Sequence, residues 1–541
     1  MSVPTAELTA PAIGARRRIA RDELMMQFAG GRIYFLLIAA ALTIAALSLL
    51  VPSTPSYDPW SWLSWGREIV HFKLHTTGGP TWKPLPVLFT TLLAPLGKAA
   101  PDLWLIVARA GAVMAVAMIF KVTLRVTYSL AGGDQPDASR RAIVPTLLAG
   151  VIAAGSIIAA RGFISDNALG YSEGLMTAVV LIAIDRHMDG QRRQAFAIGF
   201  LAALDRPELW LVWGPYGLYL WWTDKGSRKL VLGLFALIPV LWFLPEYWGS
   251  GHFFRGVNRA HHPRSNSPAY TKCPFCTEIA KHAWRTILLR VKVVAGIAML
   301  TAAIGLWPVR RTLLSHRRWP ELATLSPAMR ARVALIGIGG AGIAWWVLIG
   351  VLTQIGFSGN DRYLVLGAAL IAIAGGVGWG WASSSLGALA RRLRLRPLAA
   401  GAIGSLVLGA IFMGLPPWIG ANVVDVQATH RALVYQAHLR EDARTAVDRL
   451  GGPEKVKRCG TIMTEGFQVP MLAWTLGLHT SDVRASPLKG EPLPPPPNLI
   501  FQARAQHHAH LLPFVRAWTG VPYRLVAHVR TFKVYEQGCR S

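Results

Sequence analysis

Nine charged side chains stand beside long apolar stretches of this sequence. A charge next to lipid is costly, so a charged residue at the end of a membrane span is a functional candidate. Carboxylates can accept the proton of an attacking hydroxyl, and Lys and Arg can neutralise charge on a phosphate. The set therefore predicts acid–base or phosphate chemistry at a membrane surface. Its members are Asp58, Arg67, Lys83, Asp166, Glu173, Arg206, Glu208, Asp361 and Arg362.

The composition predicts that these residues are positioned by membrane helices. Of the 541 residues, 52% are hydrophobic and 16% are charged, and the mean hydropathy is +0.37. Crossing the hydrocarbon takes roughly 20 apolar residues per helix. We predict an all-α polytopic membrane bundle of about eleven helices, from the stretches 33–51, 102–120, 143–160, 173–186, 194–205, 207–223, 229–247, 291–308, 331–355, 362–384 and 397–415.

The distribution of Lys and Arg predicts the topology. The net charge of +28 comes largely from basic residues in alternate loops, as the positive-inside rule expects of cytoplasmic segments, and not from a nucleic-acid surface. The N-terminus then lies on the cytoplasmic side of a bacterial cytoplasmic membrane, and the long loops 52–101 and 248–290 lie on its outer side. We predict a basic cytoplasmic head at 1–32, a transmembrane domain at 33–421 and an extracytoplasmic α/β domain at 422–541.

All four cysteines lie on the predicted outer side, where disulfides persist. Cys459 and Cys539 are expected to close the tail domain, and Cys273 and Cys276 to form a local clip. A redox pair or half of a zinc site is the alternative for the Cys-x-x-Cys spacing.

Two further segments have readable periodicity. In the tail, 428–450 is predicted to be helical and 459–478, 498–504 and 523–535 to contain strands. In the first outer loop, Trp60, Trp62 and Trp65 fall on one helical face. We expect that helix to lie flat on the membrane, with its indole rings at headgroup depth.

Three short motifs resemble the membrane-embedded glycosyltransferases of the GT-C superfamily over most of 33–415. The first is Tyr57-Asp58 after the first span with Trp82-Lys83-Pro84-Leu85-Pro86, the second is Leu204-Asp205-Arg206-Pro207-Glu208, and the third is Arg362-Tyr363-Leu364. The order Pro84-Leu85-Pro86 departs from the Pro-Pro-Leu that is commoner in the superfamily, and no acceptor-specific signature is present.

The resemblance implies a reaction and a set of roles. A sugar would pass, with inversion, from a polyprenyl-phosphate donor to a hydroxyl of a glycan, lipid or protein acceptor at the outer face, among membrane lipids. Asp58 would be the general base, and Lys83, Arg206, Arg362 and Arg67 would bind the donor phosphate. Glu208, Asp166, Glu173 and Asp361 are secondary candidates.

The sequence does not determine whether a divalent cation binds or which sugar the donor carries. The family often binds a divalent cation such as Mg²⁺ or Mn²⁺, and the sequence assigns no ligands for one. The Ala-, Arg- and Gly-rich composition resembles that of a high-GC bacterium, which suggests an actinobacterial-type mannosyl- or arabinofuranosyltransferase.

Each candidate also has a purely structural explanation. Asp58 could cap a helix, Lys83 could extend to the headgroups, Arg206 and Glu208 could pair with each other, and Arg362 could anchor its span. A transporter for a lipid-linked sugar or solute is the main alternative function, and an envelope scaffold is a third.

Overall fold

The computed structural model describes most of the chain. The described residues are 32–135, 138–263, 270, 275, 281–307, 325–416, 418, 423–488, 491–515, 518, 520 and 522–539. The predicted clip between Cys273 and Cys276 lies outside them, as does most of the predicted basic head.

Most of the described chain is helical, and a small sheet lies near the C-terminus. The longer α-helices are α1 Arg32–Leu47, α2 Tyr57–Val70, α3 Pro84–Leu93, α4 Ala100–Leu130, α5 Ser139–Ile158, α6 Phe163–Ala168, α7 Glu173–Met188, α8 Arg192–Asp205, α9 Trp210–Thr223, α10 Arg228–Ser250, α11 Arg255–His261, α12 Leu289–Leu306, α13 Pro327–Gln354, α14 Val365–Ala390, α15 Pro397–Gly414, α16 Val426–Arg449, α17 Pro453–Arg458 and α18 Val469–Leu476.

Eight helical segments in the described residues are long and apolar enough to cross a membrane, which confirms the predicted polytopic bundle. Helices α7, α8 and α9 coincide with three further predicted spans but have only 16, 14 and 14 residues. At about 1.5 Å per residue they measure roughly 21 to 24 Å, less than the roughly 30 Å of the hydrocarbon. The predicted orientation stays a prediction. The eight segments are Ile33–Leu50, Pro84–Leu130, Ser139–Ile158, Lys225–Ser250, Leu289–Leu306, Pro327–Gln354, Asp361–Leu393 and Pro397–Gly414.

Helix α14 is the central helix of the bundle. Its span is 94% buried inside the protein, and it packs against α5, α12, α13 and α15. Small residues allow this close approach: a Cβ on Gly376 would lie 2.6 Å from the carbonyl oxygen of Ala149 in α5. Such contacts between small residues are typical of helix packing in membranes. Because Arg362 lies in the 3-10 turn Asp361–Leu364 that leads directly into α14, the packing of α14 fixes where that arginine lies.

Helix α7 is held at both ends by charged side chains. Glu173 is its first residue, and Asp185 lies near its other end. Asp185 is fully buried and pairs with Lys121 of α4, with Tyr34 of α1 and, at 3.0 Å, with Arg125 of α4. These contacts fix α7 against its neighbours.

Close packing of α4 on α7 also positions Glu173. A Cβ on Gly111 would lie 2.6 Å from the Cα of Leu175, so we expect Gly111→Ala to force the two backbones apart and to lower stability by about 1–3 kcal/mol. Thermal unfolding of the purified protein measures this. Gly155→Ala is the matched control, because nothing lies within 4 Å of its Cβ position. An unchanged melting temperature for Gly111→Ala would contradict the packing described.

The C-terminal region is a mixed sheet with helices. Strand order is β2-β1-β3-β6-β5, with β4 paired to β3. Strands β1 and β2, and β1 and β3, are parallel, whereas β6 is antiparallel to both β3 and β5. The predicted small α/β fold is thus confirmed. The strands are β1 Thr461–Thr464, β2 Val483–Ala485, β3 Asn498–Arg504, β4 Leu511–Leu512, β5 Arg524–His528 and β6 Lys533–Gln537.

The predicted local elements of this region hold in part. Helix α16 and strand β3 lie where the periodicity placed them, and a disulfide joins Cys459 to Cys539. The strand-like stretch 459–478 holds only β1, because its apolar residues from Val469 onward form α18. The stretch 523–535 covers β5 and the start of β6, which form an antiparallel pair.

Helix α2 lies between the bundle and the C-terminal region, not on the membrane surface as expected. Trp60, Trp62 and Trp65 are at most 2% exposed. Their rings contact Trp474 of α18, Trp104 of α4 and Trp82 respectively. The expectation of a lipid-facing helix was wrong because both of its faces are covered by protein.

Polar contacts complete this docking. Arg440 of α16 binds Asp102 of α4 at 2.5 Å. His479 Nδ1 lies 2.9 Å from an oxygen of Glu68 in α2. The C-terminal region is therefore fixed over the end of the bundle where Asp58 lies.

Candidate active site

Asp58 and Arg362 form an ion pair across the site. Nη2 of Arg362 donates to Oδ2 of Asp58 at 2.5 Å, although 304 positions separate the two residues in sequence. Only 8% of the Arg362 side chain and 13% of the Asp58 side chain are exposed. The other carboxylate oxygen of Asp58 has no hydrogen-bond partner among the residues that the structure describes. Among the described residues, Arg362 lines the adjoining polar cavity and Asp58 does not, so the carboxylate meets the cavity through Arg362.

Glu173 is the hub of the network. Its Oε1 lies 3.0 Å from Nη2 of Arg206, 3.3 Å from Nε of Arg362 and 3.6 Å from Nζ of Lys83. The contact with Arg362 lacks hydrogen-bond geometry, so it is an ion pair only. Glu173 is 2% exposed. A single buried carboxylate thus holds three cations together.

Lys83 and Arg206 have further acidic neighbours. Lys83 donates to the hydroxyl of Ser172 at 3.0 Å and lies 3.9 Å from Asp205. Arg206 binds Glu208 at 3.1 Å. Counting Asp58 and Glu173, four carboxylates contact three cations. The charges of these carboxylates and cations nearly cancel, so the network is not a strongly positive binding site for a phosphate.

Aromatic rings fix the guanidinium groups. The Arg362 guanidinium carbon lies 3.8 Å from the ring centre of Tyr171, and that of Arg206 lies 3.5 Å from Tyr363. Stacking of this kind stabilises a buried cation and restricts its rotation. Arg206 and Arg362 are consequently held in place before any ligand binds.

A polar cavity of about 220 Å³ adjoins the network. Arg362, Tyr171, Ser56 and Tyr57 line it beside Asp166. The Asp166 side chain has no hydrogen-bond or ion-pair partner among the described residues. Burial raises the pKa of the Asp166 carboxyl to about 7, although Arg362 acts in the opposite direction. The cavity therefore contains an acid that changes charge near neutral pH.

An apolar groove of about 420 Å³ meets this cavity at Thr54 and Leu169, which line both. Its walls come from α1, α4 and the residues around α6. One cation, Arg109, lies in the groove wall. Its guanidinium donates to the hydroxyls of Ser48 and Ser53 and to the carbonyl of Ala168. All its hydrogen-bond acceptors in the described chain are neutral.

The structure brings six of the nine sequence-predicted residues into one network and a seventh, Asp166, beside it. It does not bring Arg67 or Asp361 there. Arg67 donates to the carbonyls of Trp474 and Leu478 and so holds the C-terminal region. Asp361 points outward, where 65% of its side chain is exposed, and contacts His282.

Two structural explanations of single residues are not supported. Asp58 is the second residue of α2, and its carboxylate is bound to Arg362 instead of capping the helix. The Lys83 side chain is 12% exposed and points into the network, not toward headgroups. The Arg206–Glu208 pair does exist, but Arg206 binds Glu173 as well.

Sequence reasoning missed several residues. Tyr171 and Tyr363 neighbour predicted residues in the chain, which is a usable signal. Arg109 was detectable as the one basic residue within the predicted span 102–120. The glutamines of the C-terminal region that line the cavity, Gln436, Gln468 and Gln506, come from three distant segments and carry no such signal.

The described residues do not fit a metal centre. No group of three or more His, Cys, Asp or Glu side chains that could hold an ion is found in the part of the chain that the structure describes. The acids of the network are instead contacted by Lys and Arg. The reaction that we propose therefore uses no divalent cation.

No protein-family model matches the sequence, and no curated protein matches it. Among solved structures, the chain is similar to ArnT from Cupriavidus metallidurans bound to undecaprenyl phosphate, with a TM-score of 0.44, 12% identity, and coverage of 94% of this chain and 98% of that one. It is also similar to the apo state of the same protein, with a TM-score of 0.43, 13% identity, and coverage of 93% and 97%.

Proposed function

We propose that this protein is a membrane glycosyltransferase that moves a sugar from a polyprenyl-phosphate donor to an acceptor hydroxyl, with inversion. The observation that carries the proposal is the junction of two spaces: an apolar groove, with Arg109 as the one cation among the described residues of its wall, meets at Thr54 and Leu169 a polar cavity beside a carboxylate network. A lipid-linked sugar has the same three parts in the same order, namely an apolar chain, a phosphate and a polar ring.

The groove suits the lipid phosphate. A phosphodiester near apolar walls needs a cation, and charge-assisted hydrogen bonds from Arg to phosphate are strong. The cations of the network already contact carboxylates, whereas Arg109 has only neutral partners in the described chain. Arg109 would hold the phosphate where it leaves the groove. Arg362, which lines the cavity, would neutralise charge as the phosphate departs.

The proton goes to Asp58 in this proposal. An acceptor hydroxyl in the cavity attacks the sugar carbon, the bond from that carbon to the phosphate oxygen breaks, and Oδ1 of Asp58 takes the hydroxyl proton. Arg362 holds the other oxygen of Asp58 and fixes the direction of the carboxylate. Glu173 contacts Arg362 in turn and is itself held by Lys83 and Arg206.

Asp166 gives the reaction a pH dependence. Below about pH 7 its carboxyl is protonated and neutral, and above that pH it adds a negative charge to the cavity. A phosphodiester donor keeps its single charge throughout, so we expect its KM to rise several-fold between about pH 6 and 8 through repulsion. Asp166→Asn should keep the low KM at both pH values. The measurement is donor KM against pH for both proteins, and an equal rise in the variant would contradict this role.

The direct test uses purified protein in vesicles supplied with decaprenyl-phosphate mannose or decaprenyl-phosphate arabinofuranose and a sugar acceptor. Sugar transfer is the expected result. A binding arm compares undecaprenyl phosphate with undecaprenol, and Arg109→Gln should lose the preference for the phosphate. Arg161→Gln, at an exposed arginine, is the matched control. Solute uptake with no lipid-linked donor present would favour the transporter instead.

A further inference from the structure

The C-terminal region forms one wall of the polar cavity. Gln436 of α16, Phe467 and Gln468 from the turn after β1, and Gln506 from the segment after β3 face residues of the first outer loop and of α2. The cavity exists only because the C-terminal region is docked there. It measures about 220 Å³.

The chemistry of the lining is that of amides and aromatic rings. Side-chain amides are contributed by three glutamines and by Asn360. An amide group carries two donors and an acceptor, which suits hydroxyl groups that both donate and accept. Gln436 uses a donor on Ala505 and Gln468 binds Glu465, and their other polar positions remain for a ligand. Aromatic rings of Tyr57 and Phe467, which are partly exposed, offer apolar surfaces on which the C–H face of a sugar can pack.

Charge is nearly absent from the lining. Asp166 and Arg362 are the two charged side chains among its described residues, and their charges are opposite. An anionic ligand would gain little net attraction there and would meet Asp166. A neutral ligand meets no electrostatic repulsion from Asp166.

The glutamine wall is fixed before a ligand binds. Nε2 of Gln436 donates to the carbonyl of Ala505 at 2.7 Å, which links α16 to the segment bearing Gln506. The turn that carries Phe467 and Gln468 is held by Glu465, whose Oε2 accepts from the Phe467 amide at 2.8 Å. Glu465 is 5% exposed and Gln468 is 3% exposed. Preorganisation of this kind lowers the cost of ligand binding.

We infer that the glutamines of the C-terminal region and the aromatic rings beside them form a subsite for one neutral, hydroxyl-bearing sugar ring. The inference rests on the proposed function only for the source of that sugar, which is the donor or the acceptor. It gives the C-terminal region a part in substrate selection: a neutral monosaccharide unit is accepted, and a carboxylated one is disfavoured.

Binding without turnover tests the subsite independently of sugar transfer. Saturation-transfer NMR on the full-length protein in detergent would use methyl mannopyranoside and methyl arabinofuranoside, with the methyl glycoside of glucuronic acid as the anionic comparison. We expect saturable binding of at least one neutral glycoside and weaker binding of the anionic one. Gln436→Ala and Gln506→Ala should each raise the Kd about 3- to 10-fold, the effect of one lost hydrogen bond.

The control is Gln427→Ala, at an exposed glutamine of the same helix α16, which should bind like the parent protein. Equal binding by all three variants, no saturable binding of either neutral glycoside, or tighter binding of the anionic glycoside would each overturn the inference. If binding is seen but no sugar is transferred, the proposed function fails and the subsite stands. If transfer occurs, a KM increase confined to donor or to acceptor in Gln506→Ala identifies which sugar occupies the subsite.

Discussion

Asp58→Asn is expected to lower the rate of sugar transfer by about 10² to 10⁴-fold, the usual contribution of a general base. Asparagine has nearly the shape of aspartate and can still accept a hydrogen bond from Arg362, but it cannot take up the hydroxyl proton. The loss should therefore appear in kcat, whereas donor KM should change little. Single-turnover transfer with a polyprenyl-phosphate sugar measures both.

A merely structural Asp58 would behave differently. If its role were only to hold Arg362, which it contacts at 2.5 Å, the variant would weaken donor binding and leave kcat close to normal. Asp134→Asn, at an exposed aspartate in the loop after α4, is the control and should transfer sugar normally. A kcat within a few-fold of the parent value in Asp58→Asn would remove Asp58 from the reaction.

Glu173→Gln is expected to lower the free energy of unfolding by about 3–5 kcal/mol, as removing one partner of a buried ion network typically does. Lys83, Arg206 and Arg362 lie between 3.0 and 3.6 Å from its Oε1. Without that charge, three buried cations share the remaining acids. Thermal or denaturant unfolding of the purified protein measures the effect.

The compensating variant makes the Glu173 prediction specific. Adding Lys83→Met removes one unneutralised cation, so the double variant should recover part of the lost stability while remaining inactive. Glu454→Gln is the surface control, because 79% of the Glu454 side chain is exposed and such ion pairs contribute about 0–1 kcal/mol. Additive destabilisation in the double variant would show that Glu173 and Lys83 act independently.

These two predictions separate the two tasks of the network. Asp58 is bound to Arg362, which lines the cavity, and is proposed to act on the substrate, whereas Glu173 is buried and is proposed to hold cations. A site built this way resists displacement of its arginines, since each is also stacked on a tyrosine ring. In the proposed reaction, the near balance of charge in the network leaves the donor phosphate to a separate cation, Arg109, in the groove.

Much of the site was predictable from local chemistry. Asp58, Lys83, Glu173, Arg206, Glu208 and Arg362 were detectable because a charge at the end of an apolar stretch is expensive wherever the chain folds. The same reasoning selected Arg67 and Asp361, which lie elsewhere. The cost of a charge identifies residues that need partners, but it does not say whether the partner is a substrate, a carbonyl or water.

The tryptophans of α2 show a second limit of prediction from sequence, which concerns the surroundings of a correctly predicted helix. Their spacing correctly indicated a helix with an aromatic face, but an aromatic face suits a lipid headgroup region and a protein core equally well. Only the position of α18 and α4 decided that Trp60 and Trp62 are covered by protein.

The amino-acid sequence by itself determined that this chain forms membrane helices with a small α/β region after them, because bilayer thickness and the cost of buried charge act on each segment separately. Tertiary structure alone decided that Asp58 meets Arg362 across 304 positions and that glutamines of the C-terminal region complete the cavity. The reason is physical: hydropathy and periodicity are properties of neighbours along the chain, whereas an ion pair or a cavity wall depends on how separate helices pack.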